Sequence, residues 1–188
     1  YDAREPMGYE VSETLSTPEV NTEFAGEIFP SAGAEIYLRP DLTFSPVEAY
    51  VWEGVENASD EAYGKIIIKR RYAPGKAMEL LPGETLVVDF GQNAAAVPAF
   101  EFKAEEGTVL TCLPAELLND GNGAKSRGMD GPEGSCHRLN LRTPDDGMIL
   151  EYTFGDADGY VSYSPRCTFY GYRYVSITST APVTIKSV

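Results

Sequence analysis

Apolar and polar positions change places with a period of two along most of the chain beyond Pro46. The clearest case is Pro98–Ala104, where Pro98, Phe100, Phe102 and Ala104 fall on one side and Glu101 and Lys103 on the other. That alternation predicts a strand with one dry and one wet face. The stretch just before it, Thr85–Phe90, is apolar and rich in β-branched residues without alternation, which suits a buried strand. Gly91-Gln92-Asn93 lies between the two. It reads as a turn, because Gly and Asn tolerate positive φ. Asp89 is the exception within the apolar run. A buried carboxylate needs partners, so hydrogen bonds from its own turn or a paired arginine are expected.

The same reading predicts strands at Pro46–Asn57, which contains Trp52, and at Lys65–Tyr72, which Ala73-Pro74-Gly75 ends. Further strands are expected at Thr108–Leu113, Cys136–Leu141, Ile149–Phe154, Tyr172–Thr178 and Val183–Lys186, and Pro114–Leu118 reads as one short helical turn. Strands recurring at roughly ten-residue intervals with Gly/Pro turns, and no sustained helical period, predict an all-β chain folded as an antiparallel β-sandwich. The sandwich is expected over residues 46–188. Residues 1–45 carry Pro6, Pro18, Pro30 and Pro40 and few apolar clusters, which predicts an extended arm or the tail of a preceding β-domain.

Charge narrows the partners. The formal net charge is -14, and the acidity is concentrated in Tyr1–Gly64, where Arg4 and Arg39 are the only cations. Such a surface disfavours nucleic acid, which requires a basic footprint, and anionic lipid. No apolar run approaches the roughly 18 residues of a membrane-spanning helix. The chain starts on Tyr1 with no visible signal peptide, which reads as a processed end or a cut within a longer polypeptide. Cys112, Cys136 and Cys167 are odd in number, so they are expected as isolated buried thiols in strand-like contexts, with one bridge and a leftover thiol as the alternative.

Candidate chemistry is sparse. Glycoside hydrolysis requires two carboxylates about 5–9.5 Å apart in a cleft, and only Asp89 and Glu116 sit in apolar settings. Hydrogen bonding within the fold is the expected role of both. Asp120 with Asn122, and Asp156 with Asp158, resemble the opening of a calcium loop, but neither pair is followed by a glutamate at the required distance. Turn chemistry accounts for them, and no metal or other cofactor is expected. The glycine-rich Asn119–Gly134 loop carries Lys125, Arg127 and Met129. Loops of this length are functional or mobile, so a contact with a ligand or a neighbouring domain is considered there. Among the many tyrosines, Tyr160 and Tyr170, with Arg127, are the candidates for stacking on or binding a sugar. The alternative for the tyrosines is to bridge core and rim.

Val88–Asn93 (VDFGQN) and Tyr163–Ile177 (YSPRCTFYGYRYVSI), with Pro114–Gly123 (PAELLNDGNG) between them, carry a resemblance. Together they resemble motifs of the concanavalin-like β-sandwich of bacterial α-L-rhamnosidases, glycoside hydrolase family 78. Tyr1–Arg4 (YDAR) is similar to a segment at the end of the domain preceding that sandwich. Cys167 stands where the family has an aromatic, a replacement that a buried apolar position tolerates. In that family hydrolysis is carried out by carboxylates on a separate (α/α)6 barrel, and no such helical pattern exists here. The resemblance therefore implies a concanavalin-like, jelly-roll accessory domain without catalytic residues. It packs on other domains of the same polypeptide, in a bacterial protein of the periplasm or cell exterior. The alternative is a carbohydrate-binding module for rhamnose or a plant glycan. Arg166 and Arg173 are expected to be structural, with Arg173 a partner for Asp89.

Overall fold

A computed structural model describes residues 1–4, 26–27, 30, 33, 37–120, 124–125, 128–141 and 148–188. The chain divides into two compact units, Tyr1–Glu5 with Phe44–Val188, and Pro6–Thr43. Within the second unit a 3-10 turn, Pro40–Leu42, is closed by Thr43 Oγ1 donating to the Pro40 carbonyl at 2.9 Å.

The first unit is built from twelve strands among the described residues, all paired antiparallel. They are β1 (Glu48–Glu56), β2 (Lys65–Tyr72), β3 (Met78–Leu80), β4 (Thr85–Ala96), β5 (Phe100–Ala104) and β6 (Val109–Ala115). Then come β7 (Leu117–Leu118), β8 (Cys136–His137), β9 (Leu150–Thr153), β10 (Val161–Tyr163), β11 (Tyr170–Ser179) and β12 (Val183–Ser187). One sheet has the order β2-β1-β4-β11-β6-β9 and the other β10-β5-β12-β3, while β7 and β8 form a separate ribbon. The expected β-sandwich is therefore present.

The core between the sheets is assembled from alternate residues of both. Leu86, Val88 and Phe90 of β4 and Val175 and Ile177 of β11 meet Phe100 and Phe102 of β5 and Val183 and Ile185 of β12. The rings of Phe102, Tyr152 and Phe154 lie within 5.0 Å of one another, centroid to centroid. The outer face of the six-stranded sheet carries a second apolar cluster of Tyr50, Ile66, Val87, Ala115 and Tyr174, joined by Leu118 and Cys136 of the ribbon. This second layer explains why the Thr85–Phe90 run does not alternate: a strand covered on both faces needs apolar residues on both.

Several sequence expectations are corrected. Gly91-Gln92-Asn93 is no turn but the middle of the continuous strand β4. Tyr172 pairs with Ala94 and Tyr174 with Asp89, so β4 carries extra residues across a bulge there. Gly91, at φ +77, supplies the backbone conformation that the bulge requires. Pro114–Leu118 is not a helical turn: it finishes β6 and forms β7. Of the Cys136–Leu141 strand only Cys136–His137 forms. The short strands β3 and β10 escaped the pattern, since three residues are too few to show a period. The opening residues pair with β9 through a parallel bridge between Asp2 and Thr153, with Thr153 N donating to the Tyr1 carbonyl at 2.8 Å. The Tyr1 ring stacks on Tyr152 and Tyr163.

Candidate functional site

The three motif segments meet at the end of the six-stranded sheet where β4 finishes and β11 begins. Asp89 and Arg173 lie on these adjacent strands and form a two-pronged pair, with Nε to Oδ1 and Nη2 to Oδ2 both at 2.9 Å. Gly91 N donates to Asp89 Oδ1 at 2.6 Å. Both expected partners of Asp89, its own bulge and Arg173, are thus present. Burial works to raise the Asp89 pKa. The Arg173 guanidinium and the Gly91 N–H outweigh it, and the carboxyl is held below its ordinary value. The guanidinium also stands 4.9 Å from the centre of the Tyr174 ring.

Beyond the bulge, Asn93 Nδ2 donates to Glu116 Oε1 at 3.1 Å and Asn140 Nδ2 donates to Oε2 at 2.9 Å. The opposed residues Ala95 and Gly171 are small and leave a low floor beside this carboxylate. A Cβ on Gly171 would stand 4.0 Å from Glu116 Oε1. Leu117 and Leu139, adjacent in the chain to Glu116 and Asn140, and Phe169, two residues before Gly171, are 54%, 58% and 60% exposed. Asn93, Asn140 and Phe169 were not singled out as site residues in the sequence. The signal available was that Asn93, Glu116 and Phe169 each lie inside one of the motif segments.

A second polar network lies under the ribbon. Asp130 accepts hydrogen bonds from Arg138 N at 2.6 Å, Leu139 N at 2.9 Å and Asn119 Nδ2 at 2.9 Å, and its Oδ1 is 3.1 Å from His137 Nδ1. Asn119 is buried and also bonds Ser135 Oγ at 2.9 Å, while its Oδ1 accepts from Asp130 N at 3.2 Å. Burial opposes ionisation of Asp130, but the N–H donors of Arg138, Asn119 and Leu139 and the nearby His137 together lower its pKa. Gly134 sits at φ +90, its carbonyl accepts Tyr50 Oη at 2.6 Å, and a Cβ there would come 2.9 Å from Ile66 Cδ1. These contacts clamp the 128–137 segment to the outer face.

Elsewhere, Arg70 grips the buried Glu84 with both Nη atoms, at 2.7 and 2.5 Å, and this pairing holds the Glu84 pKa down. The carboxyl groups of Asp2, Asp41, Glu84, Asp89 and Asp130 are all held below their ordinary values. A cleft of about 100 Å³ lined by Tyr72, Pro74, Met78, Lys186 and Val188 contains none of the candidate residues.

The sequence candidates are scattered. Tyr160 is 46% exposed before β10, with Lys186 Nζ 5.5 Å from its ring centre, whereas Tyr170 is half-buried against the inter-sheet core. Arg127 and Asn122 lie outside the described residues. Asp120 follows β7, while Asp156 and Asp158 lie between β9 and β10, and all three are exposed. Among the described residues no group of three or more His, Cys, Asp or Glu converges on a point. Lys125 turns back on the chain: its Nζ donates to the Ser59 carbonyl at 3.1 Å and lies 5.3 Å from the Tyr63 ring centre. All three cysteines are free. Cys112 and Cys136 are held as thiols by burial, which pushes Cys136 up to about 12. Cys167 corrects the expectation of a buried strand position: it is exposed in a loop at φ +58.

Fold and site together define a class: a two-sheet antiparallel β-sandwich whose motif residues build a polar rim rather than a cleft. The profile of the family described as "Bacterial alpha-L-rhamnosidase concanavalin-like domain" matches residues 79–188, and the chain belongs to that family. It is 30% identical over 115 residues to an alpha-L-rhamnosidase of Streptomyces avermitilis, an overlap of 61% of this chain and 10% of that protein. An alpha-L-rhamnosidase of Alteromonas sp. (strain LOR) is 28% identical over 95 residues, covering 50% of this chain and 9% of its own length. A crystal structure of a GH78 family rhamnosidase of Bacillus sp. GL1 overlaps 55% of this chain and 9% of that one, at 23% identity and a TM-score of 0.38. The chain thus spans about a tenth of the length of the curated relatives it matches.

Proposed function

We propose that this chain is a non-catalytic accessory sandwich of a multidomain α-L-rhamnosidase-type glycoside hydrolase, which packs against and supports the domain that carries the hydrolytic acids. One observation carries the reading. A glycosidic general acid needs a raised pKa, so that it still holds a proton near neutral pH. Here three carboxylates with strong donors are held in the opposite sense: Asp89 by Arg173, Glu84 by Arg70, Asp130 by the backbone N–H groups of Arg138 and Leu139 and by Asn119. With this reading go a rhamnose-containing glycan as the substrate of the whole enzyme and a periplasmic or extracellular location. Hydrolysis of an aryl α-L-rhamnoside is the test. The 188-residue chain is expected to release no phenol, and turnover by it alone would falsify the assignment.

The exposed aromatic Tyr160 favours a second reading, a module that binds rhamnose or a plant glycan in its own right. Calorimetry with L-rhamnose separates the two, because binding by the chain alone belongs only to the second.

A further inference from the structure

Among the described residues, no cation pairs with the Glu116 carboxylate. Its two oxygens take one carboxamide N–H each, from Asn93 and Asn140. A carboxylate offers about four lone-pair sites, and two of them take no hydrogen bond from the described residues. On the six-stranded sheet, the carboxylates of Asp89 and Glu48 are each matched by an arginine, Arg173 and Arg71. Leu117 follows Glu116 in the chain, Leu139 precedes Asn140 and Phe169 lies two residues before Gly171, and each is more than half exposed. Apolar side chains around a polar centre that lacks its counter-charge form a surface prepared for a partner.

We infer that this rim, Asn93–Glu116–Asn140 with Leu117, Leu139 and Phe169, is the face on which a further domain of the same polypeptide docks, by presenting an arginine or lysine set among apolar side chains. The inference rests on the accessory-domain reading and names its interface. Charge selects the occupant. A second copy would add another net charge of -14, which opposes self-association. The 6–43 segment has one cation, Arg39, and that is already paired with Asp41 at 2.5 Å. The relatives are about ten times longer than their overlap with this chain, so the reading supplies polypeptide enough to cover the face.

Hydroxyl-radical footprinting with mass spectrometry tests this in both the 188-residue chain and the longer polypeptide its gene encodes. Tyr160 and Ile149, 46% and 40% exposed, serve as internal references. In the 188-residue chain Leu117, Leu139 and Phe169 are expected to label as readily as the references. In the longer polypeptide their labelling falls several-fold while the references hold, and Glu116→Lys or Phe169→Asp restores it. Unchanged labelling at all three in the longer polypeptide overturns the inference and leaves the accessory reading standing. Protection already present in the 188-residue chain also overturns it, with dilution telling a second copy from the 6–43 segment. A gene encoding no further domain overturns the accessory reading itself.

Discussion

The outer face of the six-stranded sheet has two regions built from similar side chains and finished differently. Under the ribbon, Asp130 is surrounded by backbone N–H groups, Asn119 and His137, in a segment whose Gly134 meets Tyr50 and Ile66. At the β4–β11 end, Glu116 is held by two carboxamides on an open rim. Both are carboxylates with asparagine partners, but only one anchors the backbone. The contrast separates a residue that holds the fold from one left over for a partner. An acid whose acceptors are filled by main-chain donors has nothing left to offer, and its loss orphans those donors.

The largest effect is expected where the main chain loses its acceptor. Asp130→Ala strands two backbone N–H groups and the Asn119 amide, and should cost about 3 kcal/mol in urea or guanidinium unfolding. A cost no greater than that of Glu116→Ala would erase the distinction between the two regions. Asp89→Ala comes next, at about 1–3 kcal/mol. Its partner Arg173 is 39% exposed and can turn to water, which favours the lower end. Gly134→Ala must place an alanine at φ +90 against Ile66, for a loss of about 1–2 kcal/mol, read as a fall in Tm.

Acid titration sharpens the same comparison. Folding depresses the pKa of Asp130 and of Asp89, so each contributes stability that is fully present above the unfolded carboxylate pKa of about 4. That contribution is lost as pH falls through the lower folded value. Asp130→Asn should therefore unfold with a shallower dependence on pH below about 4 than the parent chain. An identical acid limb in the two proteins would show that Asp130 gains nothing from ionisation. The smallest effect belongs to the rim: Glu116→Gln should change the unfolding free energy of the 188-residue chain by less than about 0.5 kcal/mol.

The β-sandwich was legible because strand period and turn chemistry are local. Lys65–Tyr72 could be read to the residue, and the Asp89–Arg173 pair followed from the need of a buried carboxylate for a counter-charge. Three-residue strands left no period to find. The bulge at Gly91 was mistaken for a turn because both use the same glycine conformation, and only the pairing with β11 tells them apart. The sugar candidates Tyr160 and Tyr170 were chosen for their residue type. Half-burial then assigned Tyr170 to the core, a distinction that composition does not carry.

The sequence by itself determined most of the longer strands, the two apolar faces of β4 and the need for a charge beside Asp89, because periodicity and desolvation act on every chain in the same way. Tertiary structure alone decided that Asn93, Glu116 and Asn140 meet, that Asp130 rather than Glu116 holds the main chain, and that Cys167 faces solvent. Each of these depends on which strands become neighbours, and strand order brings together residues that no short-range pattern relates.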